Sequence, residues 1–355
     1  MIIVEDVVNY ENELYFAASD LNRLYKLDKS GEIVEIYEDK RERVISKRLY
    51  AKVFNYKDEI IFAPHKSDSI LIYHPHEKKW DSIRIVSNNE NENGLFQSGT
   101  IFEDWLYLLG CQYPAIVKVN LCNYNIEKIW TPFEEVIKKY NGDCYFRSDI
   151  AVNDNKLFAA SCVSNRVLEF NMLTNEYRWY KVGAGENKYS GIAFDGSNFW
   201  LAPRRTGPGV CWNPITNVEI EFSIPIEYED EEDKKRCRFT GAVFDGTNIV
   251  FPGMHIEKTL VINPKTKFPL DSFRVVNEKY IFFKNIDNKN YCLRDDGKLF
   301  QYLTRENIYD KHEINVSNVS KILMDICLKN HLKIMEDKNI KLINFIGELS
   351  DEKKV

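Results

Sequence analysis

The sequence predicts an all-β fold built from repeated four-stranded units, and three observations predict it. The first is a duplication: GIAFDGSNFWLAP begins at Gly191 and GAVFDGTNIVFPG begins at Gly241. The second is that looser copies recur along the chain. NELYFAASD surrounds Leu14, DEIIFAPHK Ile60, DWLYLLGC Leu106, NKLFAASC Leu157, NFWLAPR Phe199, NIVFPGM Ile249 and KYIFFKN Tyr280. Each is a short β-branched and aromatic run after a turn of Asp, Asn or Gly, the pattern of a strand that follows a hairpin. The third is a fixed offset. Fourteen residues beyond the first six anchors stand Asp28, His74, Asn120, Asn171, Asn213 and Asn263, opening turns such as LDKSGE, VNLCNY and INPKTK. An Asx side chain that bonds the backbone following it is what starts such a turn.

Taken in order, each unit reads strand, tight turn, strand, loop, strand, tight turn, strand. Units of about 40 to 50 residues with four strands have the period of a β-propeller blade. A lone four-stranded meander cannot bury both faces, whereas blades stacked around an axis can. Seven anchors predict seven blades, with six plus an irregular hairpin as the alternative. The last anchor follows the sixth too closely for a full unit, so a strand is expected to be missing near 270–280. Either the leading MIIV or NIKLINFI near the C-terminus would then complete the final blade. From 304 onward, Val316, Val319, Ile322, Leu323, Ile326, Cys327 and Ile334 recur at mostly helical spacing. The expected domains are therefore a propeller over 1–303 and a helical extension over 304–355 packed on it.

On this period and these turns the chain resembles the β-propeller superfamily, particularly bacterial propellers whose outer hairpin carries an NP-x-T or D-x-x-G turn. The resemblance covers roughly residues 1–303 and is kelch-like in architecture only, because the paired glycines of kelch repeats and the Gly-His…Trp-Asp signature are absent. It implies a rigid ring with function on one loop-rich face. Some bacterial propellers are lyases or hydrolases that use loop histidines, so the resemblance also implies an enzymatic alternative.

Bulk properties narrow the function further. The 355 residues carry a net charge of −6, which gives no global attraction to nucleic acid or anionic membrane. The eight cysteines form no C-x-x-C pair and no His/Cys cluster of zinc spacing, and no cofactor motif is present. The first residues lack a basic segment followed by a long apolar core, and no run approaches a membrane span. The reading is a monomeric cytoplasmic protein with reduced thiols and no metal or cofactor.

Propeller geometry puts the second-to-third-strand loops and the blade-to-blade connections on one face. Those segments are rich in arginine: Arg23, Arg48, Arg147, Arg166, Arg204, Arg205 and Arg238. Guanidinium forks suit carboxylate or phosphate. Tyr50, Tyr113 and Tyr189, with Phe146 and Phe239, are placed to stack on a ring or line an apolar patch. The expected partner is an anionic small molecule or a protein or peptide. The structural alternative is that the arginines pair with Asp and Glu between blades and satisfy loop carbonyls. His65 and His255 lie on the same face and are the candidate acid/base groups for the enzymatic alternative. Glu5 and Asp149 open inner strands and are candidate cation ligands in the channel. Residues 131–145 are expected to form a short helix over the same face, and the acidic run 227–236 a solvated connection.

Overall fold

The computed structural model describes residues 4–18, 21–40, 48–85, 94–140, 144–147, 150–185, 188–226, 231–266, 273–286, 289–294, 298–305 and 308–314. Within them the chain forms seven antiparallel sheets of four strands, each in simple sequence order from first to fourth strand. They span 4–38, 50–84, 96–129, 151–181, 189–222, 243–276 and 280–313 and make one propeller. The duplicated stretches are the first hairpins of blades 5 and 6. In both, the Asp of Phe-Asp-Gly closes the turn: Asp195 Oδ1 accepts from the N–H groups of Ser197 and Asn198, and Asp245 Oδ1 from those of Thr247 and Asn248. The glycine between adopts φ +94° in one and +93° in the other, a backbone region that favours glycine.

The fourteen-residue offset marks the second hairpin. Asp28, Asn120, Asn171, Asn213 and Asn263 each accept a hydrogen bond from the backbone N–H two residues on, at 2.9–3.0 Å. His74 does not; its ring lies 3.0 Å from Asp81 and 3.5 Å from Glu59.

Apolar side chains from facing blades meet in seven separate clusters, one at every interface around the ring. Tyr107 and Phe170 pack between blades 3 and 4, and Phe158, Phe199 and Trp212 between blades 4 and 5. Burial of this kind, about 25 cal/mol per Å² of apolar surface, is what a meander cannot obtain alone.

Two expectations about the end of the chain are corrected. KYIFFKN is the first strand of blade 7 (Tyr280–Ile286), not the second, which is why its anchor comes early. Blade 7 then supplies its own second, third and outer strands, Lys289–Arg294, Leu299–Arg305 and Ile308–Glu313. Residues 273–276 already form the outer strand of blade 6, so no strand is missing and neither terminus is needed to complete a blade. The propeller consequently runs to Glu313 instead of ending at 303. The expected helical extension beyond it lies outside the described residues.

The ring closes by packing. Asp6, 2% exposed in the first strand of blade 1, accepts from Lys284 Nζ of blade 7 at 2.7 Å and from the Val53 N–H of blade 2 at 2.9 Å. The Lys52 ammonium stands 3.8 Å away. Asp6 lies in a bulge that recurs at the same place in other blades. The register slips at Val4/Val7, Tyr50/Lys52, Leu109/Gly110 (opposite Gln97), Tyr189/Gly191 and Tyr280/Phe282. A bulge bends the strand and redirects its side chains, here at the loop end of the inner strand.

Candidate functional site: a thiol–arginine cluster on the loop face

At the loop end of the ring, consecutive blades are joined by a hydrogen-bonded hoop of backbone. His65 N–H donates to Leu49 O, Leu95 N–H to His65 O, Cys111 N–H to Leu95 O, and Tyr145 N–H to Cys111 O, at 2.6–2.8 Å. The hoop continues with Cys162 N–H to Tyr145 O, Tyr189 N–H to Ser161 O, Arg204 N–H to Lys188 O, Arg238 N–H to Arg204 O, Met254 N–H to Arg238 O and Tyr280 N–H to Gly253 O, at 2.7–3.0 Å. Among the described residues, blades 2 to 6 thus present residues just after their second strand beside the blade-to-blade connections. Loops that the sequence leaves free are held here as firmly as strands, with their polar backbone satisfied.

Four cysteines from distant parts of the sequence meet on this hoop. Cys111 Sγ and Cys144 Sγ are 3.1 Å apart. The Cys162 thiol also hydrogen-bonds Cys144. Arg147 Nη1–H donates to Cys237 Sγ at 3.3 Å. Arg204 Nη1–H donates to the Cys162 carbonyl at 2.8 Å, and its guanidinium also faces the sulfurs of Cys162, Cys237 and Cys144. Its Nε is buried without a hydrogen-bond partner.

The electrostatics follow from this arrangement. Thiol donation from Cys111 and then Cys162, joined by the charges of Arg147 and Arg204, holds Cys144 well below the usual thiol range. Cys111 and Cys162 are pushed up, first by donating toward Cys144 and then by burial. Among the three sulfurs these contacts favour ionisation of Cys144 over Cys111 and Cys162, while the Phe146 carbonyl, 3.7 Å from Cys144 Sγ, favours its thiol form. Cys111 and Cys162 are 3% and 1% exposed, whereas residue Cys144 is half-buried.

His65 sits next along the hoop, 6% exposed. Its Nδ1 is 3.2 Å from Phe96 O and its Nε2 is 3.3 Å from the Gln97 side-chain amide, so Nδ1 donates and Nε2 accepts. Burial, followed by the nearby Arg48 charge, pulls its pKa down to about 4. An unfolded histidine titrates near 6.5, so below that pH the unfolded chain binds the extra proton and folding loses stability until the folded value is passed. Between pH 7 and pH 5 this one group is expected to remove about 2 kcal/mol. Urea unfolding at the two pH values, compared with His65→Asn, measures it. An equal drop in both proteins would assign the loss elsewhere.

The remaining sequence candidates divide. Arg48, at φ 56°, is paired through Nε with Glu5 Oε1 at 2.9 Å, so Glu5 faces a guanidinium. Arg23, 3% exposed, is clamped between Glu35 and Glu38 at 2.9 and 2.8 Å. Arg166 pairs with Glu135 of the inserted helix (Glu134–Tyr140) at 3.1 Å on the outer rim. Arg205 is exposed, and Arg238 is buried in the hoop. Arg23, Arg48 and Arg166 thus pair with carboxylates and Arg204 with a loop carbonyl, the contacts that the structural alternative names.

The candidate tyrosines are buried. Tyr50, Tyr113 and Tyr189 are 2%, 4% and 0% exposed. Tyr50 reaches the Ser67 hydroxyl, Tyr189 donates to Val182 O, and Tyr113 packs on Phe96 and Trp130. Phe146 stacks on Trp179, and Phe239 lies against Phe251. These rings fill the seams between blades. His255 is exposed on the blade 6 loop, separate from the described contacts of the cluster. Asp149 lies outside the described residues. Among the described residues, no group of three or more His, Cys, Asp and Glu side chains could hold a metal ion.

The cysteines were missed because their pattern is not local. The signal was present in the repeat: five residues beyond the first six anchors stand Ser19, His65, Cys111, Cys162, Arg204 and Met254. Ser19 lies outside the described residues; the other five are hoop positions, and four of them carry a thiol, an imidazole or a guanidinium.

Fold and site together define a seven-bladed β-propeller with a thiol–arginine cluster on its loop face. No protein-family model matches the chain, and no curated protein matches it in sequence. In structure it is similar to virginiamycin B lyase from Staphylococcus aureus, with a TM-score of 0.62 and 11% identity over 83% of this chain and 93% of that one. It is similar to BamB from Moraxella catarrhalis, with a TM-score of 0.55 and 15% identity over 84% and 85%. It is also similar to PorZ, a surface component of the type-IX secretion system of Porphyromonas gingivalis, with a TM-score of 0.58 and 11% identity over 88% and 38%. Identities this low carry the fold alone, and the fold serves both enzymes and non-enzymatic components.

Proposed function

We propose that the protein is a binding propeller whose loop face holds a small anionic ligand, a carboxylate or a phosphate, between Arg147 and Arg204. One observation carries this reading. The two guanidiniums come from different parts of the ring, the connection between blades 3 and 4 and the loop of blade 5, and converge on the same thiols. Among the described residues neither has a carboxylate partner, whereas Arg23, Arg48 and Arg166 each have one. Half-buried guanidiniums without a carboxylate partner attract an anion more strongly than exposed ones, because the surrounding dielectric is low. One thiolate at Cys144 leaves this spot net positive in a chain of net charge −6.

The lyase-type alternative, with His65 as acid/base, is weaker. Both ring nitrogens are engaged by Phe96 and Gln97, and the ring is neutral across the physiological range.

A thermal-shift screen against nucleotides, sugar phosphates, sugar acids and dicarboxylates tests the binding reading. A ligand at a hundredfold excess over its Kd is expected to stabilise the fold by about 2.7 kcal/mol. Arg147→Gln/Arg204→Gln should abolish the shift while leaving the unliganded fold intact. If no anion shifts the wild-type protein, or the double variant responds equally, the reading is wrong.

A further inference from the structure

The cluster has a chemistry that anion binding does not use. We infer that Cys144 and Cys111 form a peroxide-oxidisable pair, with Cys144 the attacking sulfur and Cys111 the resolving one. Two features of geometry and one of charge support this. The two sulfurs are 3.1 Å apart, so closing to a bond of about 2.05 Å needs a movement of about 1 Å. Residue Cys144 is partly exposed while residue Cys111 is buried, so the approach from solvent to the pair runs past Cys144. Arg147 and Arg204 flank the attacking sulfur, which favours its thiolate and the approach of a polar oxidant. The charged and titratable groups around it are Cys111, Cys162, Arg147 and Arg204, with Arg48, Glu5 and His65 further along the hoop.

The step balances as follows. The Cys144 thiolate attacks one oxygen of hydrogen peroxide; an S–O bond forms, the O–O bond breaks, and hydroxide leaves and takes a proton from solvent to become water. Cys144 is then a sulfenic acid. The Cys111 thiol gives up its proton and its sulfur attacks Cys144; an S–S bond forms, the S–O bond breaks, and the oxygen leaves as a second water. Two thiols are oxidised by two electrons and one peroxide is reduced to two waters. A thiol reductant reverses the change. Oxidation of the pair requires no bound anion, so it stands or falls independently of the ligand reading.

The full-length reduced protein is tested first without mutation. Iodoacetamide labelling of Cys144, followed by peptide mapping, should change in rate by less than about twofold between pH 6 and pH 8. An ordinary thiol such as one on an exposed turn gains about tenfold per pH unit below its pKa. Free glutathione labelled in the same samples is the reference thiol, and Cys122, exposed on the Asn120 turn, is the competing cysteine. With one equivalent of peroxide, two thiols should be lost and a Cys111–Cys144-linked peptide should appear, and dithiothreitol should restore both thiols. Cys111→Ser should instead accumulate a Cys144 sulfenic acid trapped by dimedone, and Cys144→Ser should abolish the linked peptide. A Cys144 labelling rate that climbs tenfold per pH unit would overturn the proposal. So would oxidation of Cys122 in preference to Cys144, or a Cys144–Cys162 bridge in place of the Cys111 one.

Discussion

Asp6→Ala is expected to lower the unfolding free energy by about 3–5 kcal/mol, the cost of breaking a buried ion pair from one side. The carboxylate is 2% exposed and holds three blades at once, through Lys284 of blade 7, Lys52 and the Val53 N–H of blade 2. Removing it leaves two partly or fully buried ammonium groups without their counter-charge and orphans a backbone donor. This junction is also where the first and last blades meet, so the damage falls on the closure of the ring. Asp6→Asn separates the two contributions. Its amide oxygen can still accept from Val53, and the charge alone is lost, so it should fall between wild type and alanine. Asp6→Ala/Lys284→Met should recover part of the alanine loss by removing one stranded charge. Denaturant unfolding at pH 7 measures all three. A loss below about 1 kcal/mol for alanine would mean that the ring closes on its apolar cluster alone.

Much of this fold was legible because the blade is an energetic unit with a fixed turn chemistry. Asn120, Asn171, Asn213 and Asn263 mark the second hairpin through the same Asx contact, and that contact needs one side chain at one position. Blade 7 was misread for two physical reasons. Strand propensity does not encode order within a hairpin, so YIFFKNI reads equally well as a first or a second strand. Outer strands also carry little apolar signal. Residues 218–221 of the blade 5 outer strand are all exposed, and the blade 7 outer strand, IYDKHE, is similarly polar in composition. The end of the propeller at Glu313 was therefore invisible to a search for hydrophobic runs.

The site was half legible. Loop position and residue type were enough to find Arg147 and Arg204, but not to tell them from Arg23 and Arg166, whose partners Glu35, Glu38 and Glu135 depend on cross-strand register and on the inserted helix. The tyrosines failed for a different reason. The connections are strand-like in the hoop, so Tyr50 and Tyr189 turn into the seams between blades, as alternating residues of a strand do. The thiols, spread from Cys111 to Cys237, converge only because the ring brings equivalent positions together.

Gly110→Ala ties that convergence to a single backbone position. The equivalent residues in blades 1, 2, 4 and 5 are Ala18, Pro64, Ser161 and Pro203, all of which carry a Cβ, so the repeat alone makes alanine look harmless. In blade 3 the chain folds back at once: Gly110 N–H donates to Ala115 O at 3.0 Å, and Ala115 N–H donates to Tyr113 O at 2.9 Å. A Cβ on Gly110 would stand 1.4 Å from that Tyr113 carbonyl oxygen and 3.0 Å from the Ala115 one. Both obstacles are backbone, so a rotamer change cannot relieve them and the loop itself must move. The expected loss is about 3 kcal/mol or more, at or beyond the upper end of ordinary overpacking. Gly196→Ala is the control, since φ +94° strains it but open space surrounds the new methyl, and it should cost only about 1 kcal/mol. Movement at Gly110 also displaces the adjacent Cys111 from Cys144, which removes the first thiol donor holding the thiolate. Gly110→Ala should therefore restore an ordinary pH dependence to Cys144 labelling even where the protein remains folded, and Gly196→Ala should not. A Gly110→Ala protein as stable as wild type, with labelling still flat from pH 6 to pH 8, would show that the blade 3 loop does not fix the position of the thiol.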